Sequence, residues 1–179
     1  MNQPVATLWV GGARSGKSRL AQAWALGRPG PHHFIATCTD DPSDSEMAAR
    51  IARHRADRDP RWNVFEEPTA VVETLVGRQG ICVIDCITLW ICNLGFTHDW
   101  KTPAVLAEVD RLAALLAAPP CPVAVVTNEV GAGVVPEHAL GRSFRDLQGF
   151  ANQRLAAACA QVVLVSCGLP LALKGSLPD

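Results

Sequence analysis

Residues 7–18 read TLWVGGARSGKS, a short apolar run that passes through a glycine-framed turn into a lysine and a serine. Gly11 to Ser18 fit the spacing Gly-x-x-x-x-Gly-Lys-Ser, with a strand-like run before them and the helix-forming segment KSRLAQAWAL from Lys17. In that context the motif predicts a phosphate loop. The physical reason is backbone access: phosphate oxygens are wrapped by consecutive N–H groups, which side chains at Gly11, Gly12 and Gly16 would obstruct. The positive end of the following helix adds to the attraction. Lys17 would neutralise charge on the β- and γ-phosphates, and the Ser18 hydroxyl would ligate Mg²⁺. The expectation is a nucleoside-triphosphate site; the alternative is a turn of the same composition that binds nothing.

Outward from this motif, short apolar runs alternate with helical patterns. Thr7–Val10, His33–Ala36, Ile81–Asp85, Val123–Thr127 and Val162–Ser166 read as buried strands, with Asn63–Glu66 a weaker one and Leu171–Lys174 a terminal edge strand. Lys17–Leu26, Asp44–Arg58, Ala70–Gly77, Ala104–Ala118 and Leu140–Cys159 read as helices. Strands alternating with helices predict an α/β fold with a mostly parallel sheet and helices on both faces. At 179 residues, against roughly 150 per domain, one domain spanning residues 1–179 is expected.

Composition narrows the function classes. Hydrophobic residues make up 49% and charged residues 18%, which excludes a disordered chain. Lys+Arg number 16 against 17 Asp+Glu, a formal charge of -1, so the totals carry no basic footprint for nucleic acid. The 7 cysteines are an odd number without Cys-x-x-Cys spacing and read as reduced thiols of a cytoplasmic protein. No targeting segment is recognised at the N-terminus, and prolines 119, 120 and 122 break the longest apolar stretch, so no membrane span is expected.

Two further segments carry chemistry. Asp85 ends the run ICVID, where a strand-end carboxylate reaches the crevice in which parallel sheets hold ligands. It reads as the acid that holds the Mg²⁺ water shell, or alternatively as a cap for a helix near Thr88. No Asn-Lys-x-Asp occurs, so a guanine-reading GTPase switch is not supported. On the helix expected from Asp44, the residues Met47, Ile51, His54 and Arg58 share a stripe that begins apolar and turns cationic. His54 admits three readings: a structural histidine, a proton shuttle, or a nucleophile that attacks an α-phosphate. Arg50, Arg53, Arg55 and Arg58 would offset the charge at that phosphorus, or form a solvated basic face. Downstream, Glu129–Glu137 reads as a loop beyond a strand's C-terminal end, a place for a second substrate or for a subunit interface. Gly149 inside the last helix suggests close approach of a ligand or another backbone.

The segments GGARSGKS, IATCT (Ile35–Thr39), EMAARIARHR (Glu46–Arg55), Trp62-x-x-x-Glu66, DCITLWICNL (Asp85–Leu94), the run Thr127–Ala156 and GLPLALK (Gly168–Lys174) occur in this order. Together they resemble the bifunctional adenosylcobinamide kinase/adenosylcobinamide-phosphate guanylyltransferase family of cobalamin biosynthesis. The resemblance implies a RecA-like P-loop NTPase domain assembled as a homotrimer. It implies phosphorylation of the terminal hydroxyl of adenosylcobinamide by ATP or GTP. Transfer of GMP from GTP to that phosphate would follow, releasing pyrophosphate. It makes His54 the GMP-carrying nucleophile and Lys17 its catalytic companion. It places nucleotide contacts at Gly11, Gly12, Ala13, Arg14, Ser15, Gly16, Lys17, Ser18, Thr37, Cys38, Thr39, Arg55, Ala56, Asp57, Arg58, Glu66 and Asp85, and Mg²⁺ at Ser18 and Asp85. A plain small-molecule kinase with a structural His54 is the alternative, and a nucleotide-binding module without chemistry a third. The two steps attack different phosphorus atoms, so either movement of the His54 helix or two nucleotide poses is expected.

Overall fold

The apolar runs TLWV, ICVI and VAVV lack the alternation of a half-exposed strand, so each needs cover on both faces, and helices flank the sheet accordingly. The computed structural model describes residues 3–38 and 59–178. In chain order the elements are β1 (Ala6–Gly11), α1 (Lys17–Leu26), β2 (His32–Ala36), β3 (Trp62–Glu66), α2 (Val71–Leu75) and β4 (Ile81–Asp85). They continue with α3 (Ile87–Thr97), α4 (Thr102–Ala117), β5 (Val123–Asn128), α5 (Ala139–Ala158), β6 (Gln161–Ser166) and β7 (Leu169–Lys174). The 7-stranded sheet runs β3-β2-β4-β5-β1-β6-β7, and every pairing is parallel except β6 with β7.

The period of two along each strand divides the core. Leu8, Ile84 and Val125 pack beneath α3, α4 and α5 with Ile91, Leu112 and Leu155. Trp9, Val83 and Ala124 turn to the opposite face and meet Ala21, Trp24 and Ala25 of α1. On α4 the buried residues Val105, Val109, Leu112 and Leu116 follow the helical repeat. Full burial of one such leucine is worth about 1.5–3 kcal/mol.

Three differences from the sequence reading have physical causes. Helix α3 is absent from the expected elements, because ITLWICNLGFT is apolar almost all round and shows no polar face to mark its period. It buries Ile87, Trp90, Ile91 and Leu94. Helix α2 is shorter than Ala70–Gly77, since Val76 is extended and Gly77 turns with φ 73. Strand β7 starts earlier than Leu171, because Cys167 and Gly168, at φ 54 and 80, form a two-residue hairpin turn that returns the chain antiparallel to β6. The helix expected over Asp44–Arg58 lies outside the described residues.

Candidate active site

The phosphate loop is built by backbone constraints. Strand β1 delivers Gly11, where a Cβ would overlap the Val165 carbonyl and stand 2.7 Å from Ser15 Oγ, so only glycine fits. Arg14 at φ 57 and Gly16 at φ 95 turn the chain into α1. The Ser15 N–H closes the turn on the Gly12 carbonyl at 3.2 Å. Lys17 is buried and its Nζ donates to the same carbonyl at 3.1 Å. Ser15 Oγ is buried without a hydrogen-bond partner among the described residues. Helix α1 has neither a side-chain cap nor an acid in its first turn, so its positive end is left for an anion. Gly12, Ala13 and Arg14 are exposed and Ser18 is half-buried. The loop also receives support from the far end of the chain: the Gly168 N–H of the β6–β7 turn donates to the Ser15 carbonyl at 2.8 Å.

The second wall consists of the ends of β4, β2 and β3. Asp85, Ala36 and Glu66 are register partners in one row across these strands, so their side chains point to one face, the face that carries α1. The N-cap position of α3 is occupied by Cys86, the residue after Asp85. Thr37 is fully buried, and its hydroxyl donates to the Cys86 carbonyl at 2.7 Å while accepting the Cys86 N–H at 2.8 Å. That side chain therefore fixes the backbone after Asp85 and has no hydrogen left to donate to a nucleotide. Asn93 Nδ2 holds the Thr37 carbonyl at 2.8 Å and the Pro68 carbonyl at 3.0 Å. Burial, with the neighbouring Asp85 charge second, pushes the Cys86 thiol up to about 12, so it stays protonated near neutrality. Cys38 is half-buried and Glu66 exposed. Thr39, His54, Arg55, Ala56, Asp57 and Arg58 lie outside the described residues.

The third wall was not foreseen as a unit. Gln148 of α5 is fully buried, and its Nε2 donates to Thr127 Oγ1 at 3.0 Å and to Asn152 Oδ1 at 2.8 Å. Thr127 Oγ1 donates to Asn152 Oδ1 at 2.7 Å, and Asn152 Nδ2 donates to the Asn128 carbonyl at 3.0 Å. The Asn128 N–H donates to Thr88 Oγ1 at 2.9 Å, which joins α3 to the network. Asn152 thus turns inward, toward the end of β5. Gln148 Oε1 has no partner among the described residues, a cost of about 1–3 kcal/mol that an apolar residue would avoid. The signal for this wall was a glutamine and an asparagine four positions apart, one of them within the buried Leu147–Ala151–Leu155 face. Nearby, Gly131, Arg145, Asp146, Gly149, Phe150 and Gln153 line an open groove of about 260 Å³. A Cβ on Gly149 would meet nothing within 4 Å, so no neighbour within the described chain requires that glycine.

The family model for cobinamide kinase / cobinamide phosphate guanyltransferase matches residues 7–173. The chain belongs to this family. Among relatives of this kinase/guanyltransferase family, the bifunctional adenosylcobalamin biosynthesis protein CobP of Pseudomonas aeruginosa is 41% identical over 172 residues, covering 94% of this chain and 96% of that protein. The bifunctional adenosylcobalamin biosynthesis protein CobU of Escherichia coli (strain K12) is 38% identical over 181 residues, covering 93% and 98%. Among solved structures, the RadB recombinase is similar with a TM-score of 0.53 at 17% identity, covering 98% of this chain and 83% of that one. That likeness concerns the fold alone, and it agrees with the P-loop α/β architecture expected from residues 7–18.

Proposed function

We propose that this chain, as one catalytic domain, carries out both reactions named by its family. It phosphorylates the terminal hydroxyl of adenosylcobinamide with ATP or GTP, then transfers GMP from GTP to the new phosphate, giving adenosylcobinamide-GDP and pyrophosphate. The observation that carries the reading is the pairing of a sterically constrained phosphate loop, with Lys17 buried in it, and a strand-end Asp85 held on the same sheet face. Lys17 offsets charge on the phosphates, and the uncapped start of α1 adds to this. The Ser18 hydroxyl and the Asp85 carboxylate are hard oxygen donors of the kind Mg²⁺ takes when phosphates supply the rest. Bound there, Mg²⁺ would supply charge neutralisation. His54 serves as nucleophile for the second step and carries GMP as a phosphoramidate. Thr39, Cys38, Glu66 and the stretch Arg55–Arg58 contact the nucleotide in this reading, and Thr37 positions Cys86.

The reading includes a cytoplasmic homotrimer. Leu169, Leu171 and Leu173 of the edge strand β7 are exposed at 72%, 59% and 58%, which supports burial against another copy. No helix among the described residues is long and apolar enough to cross a membrane.

The test is incubation with Mg²⁺ and GTP labelled on the α-phosphate, followed by denaturation. Acid-labile, alkali-stable label on the protein that disappears in His54→Asn is the expected result. Absence of label with continued γ-phosphate transfer to cobinamide would leave a kinase alone.

A further inference from the structure

Strand β5 lies between β4 and β1 in the sheet, so the chain leaving β5 enters the site between Asp85 and the phosphate loop. The first residue there is Glu129. Its N–H donates to the Gly11 carbonyl at 3.1 Å, which pins it at the mouth of the loop. Its Oε1 accepts the Gly131 N–H at 2.5 Å, the residue is exposed, and Oε2 has no hydrogen-bond partner among the described residues. The residue before it is held at its N–H by Thr88 and at its carbonyl by Asn152. Asn152 is in turn fixed by the buried amide of Gln148. The other strand-end carboxylates have different places: Asp85 ends β4, and Glu66 ends the edge strand β3, on the side of β4 away from β1.

We propose that Glu129 is the catalytic base of the phosphoryl transfer, and that Gln148 and Asn152 are positioning residues that act through it. The inference rests on the kinase half of the proposed function. In the step, an oxygen lone pair of the acceptor alcohol forms the new bond to the γ-phosphorus. The bond from that phosphorus to the β-bridging oxygen breaks, and its electron pair leaves on the nucleoside diphosphate. The hydroxyl proton passes to Glu129 and from there to solvent. GMP transfer to an already phosphorylated acceptor has no hydroxyl proton to remove and therefore makes no demand on Glu129.

That asymmetry supplies the experiment, with the full chain and two acceptors. With cobinamide, ATP or GTP, and Mg²⁺, Glu129→Gln lowers kcat by about 10²–10⁴ while nucleotide KM stays within about twofold. With cobinamide phosphate and GTP, the same variant turns over at the wild-type rate. A wild-type kinase rate in the variant, or a parallel fall in both reactions, would overturn the assignment. Wild-type protein without kinase activity would instead overturn the functional reading beneath it. Asn152→Asp keeps the Oδ1 acceptor and replaces the donor to the Asn128 carbonyl with a carboxylate oxygen that repels it. It lowers the kinase kcat about tenfold, and much less than that when added to Glu129→Gln. Gln148→Met, similar in volume, gives the same pattern and serves if Asn152→Asp does not fold. Losses that multiply in the double variants would show that the network does not act through Glu129.

Discussion

The phosphate loop and the β5–α5 junction adjoin at Gly11, yet they hold their shapes by different means. The loop is shaped by backbone: Gly11 is crowded by the Val165 carbonyl, Gly16 sits at φ 95, and Lys17 bonds a carbonyl five residues away. The junction is shaped by side chains that meet from distant parts of the chain, Thr127 with Asn152 and Gln148, and Asn128 with Thr88. A backbone device tolerates no side chain where its glycines are crowded or at positive φ, as at Gly11 and Gly16, but depends little on neighbouring side chains. A side-chain network fails by degrees, one unsatisfied group at a time. The two regions should therefore break differently.

The largest effect is expected at the loop. Lys17→Met removes the cation proposed to face the phosphates and lowers nucleoside-diphosphate release by about 10²–10³, with a urea midpoint close to wild type. Gly11→Ala comes next: the added Cβ collides with backbone, costs about 1–3 kcal/mol of stability, and abolishes retention of nucleotide on a filter. Thr127→Val reverses that pattern. It leaves Gln148 Nε2 and Asn152 Oδ1 each short of a partner, costs about 1–3 kcal/mol in urea unfolding, and leaves nucleotide affinity unchanged. The smallest effect concerns cysteine chemistry. Alkylation requires thiolate, so at pH 8 Cys86, pushed up to about 12, stays unmodified while the exposed Cys167 reacts. In Thr37→Val the Cys86 backbone loses its clamp, and its labelling rate rises. Mass spectrometry of the two peptides reads both.

The same contrast explains how much was legible beforehand. Residues 7–18 announced strand, loop and helix because a phosphate-wrapping backbone imposes its glycines at fixed local spacing. Strands β4 and β5 were equally plain, being uninterrupted β-branched and apolar runs. The place of Asp85 at the end of β4 was legible because strand ends mark themselves. Thr37, by contrast, looked like a nucleotide contact; that its hydroxyl is committed to Cys86, 49 positions on, has no local trace. Gln148 and Asn152 were hidden in the same way, their partners lying 21 to 25 residues away in Thr127 and Asn128. Helix α3 was missed for the opposite reason: too uniformly apolar, it offered no period to read.

The hydrogen bond from Gly168 to Ser15 joins the last hairpin of the fold to its first motif. On a ribosome that adds about 5–20 residues each second, the phosphate loop emerges well before the supporting turn and the neighbouring strand β6. Competence to hold a nucleotide thus waits for segments made long after the motif itself. A chain interrupted before residue 167 would carry the whole motif and still lack the brace on which the loop rests.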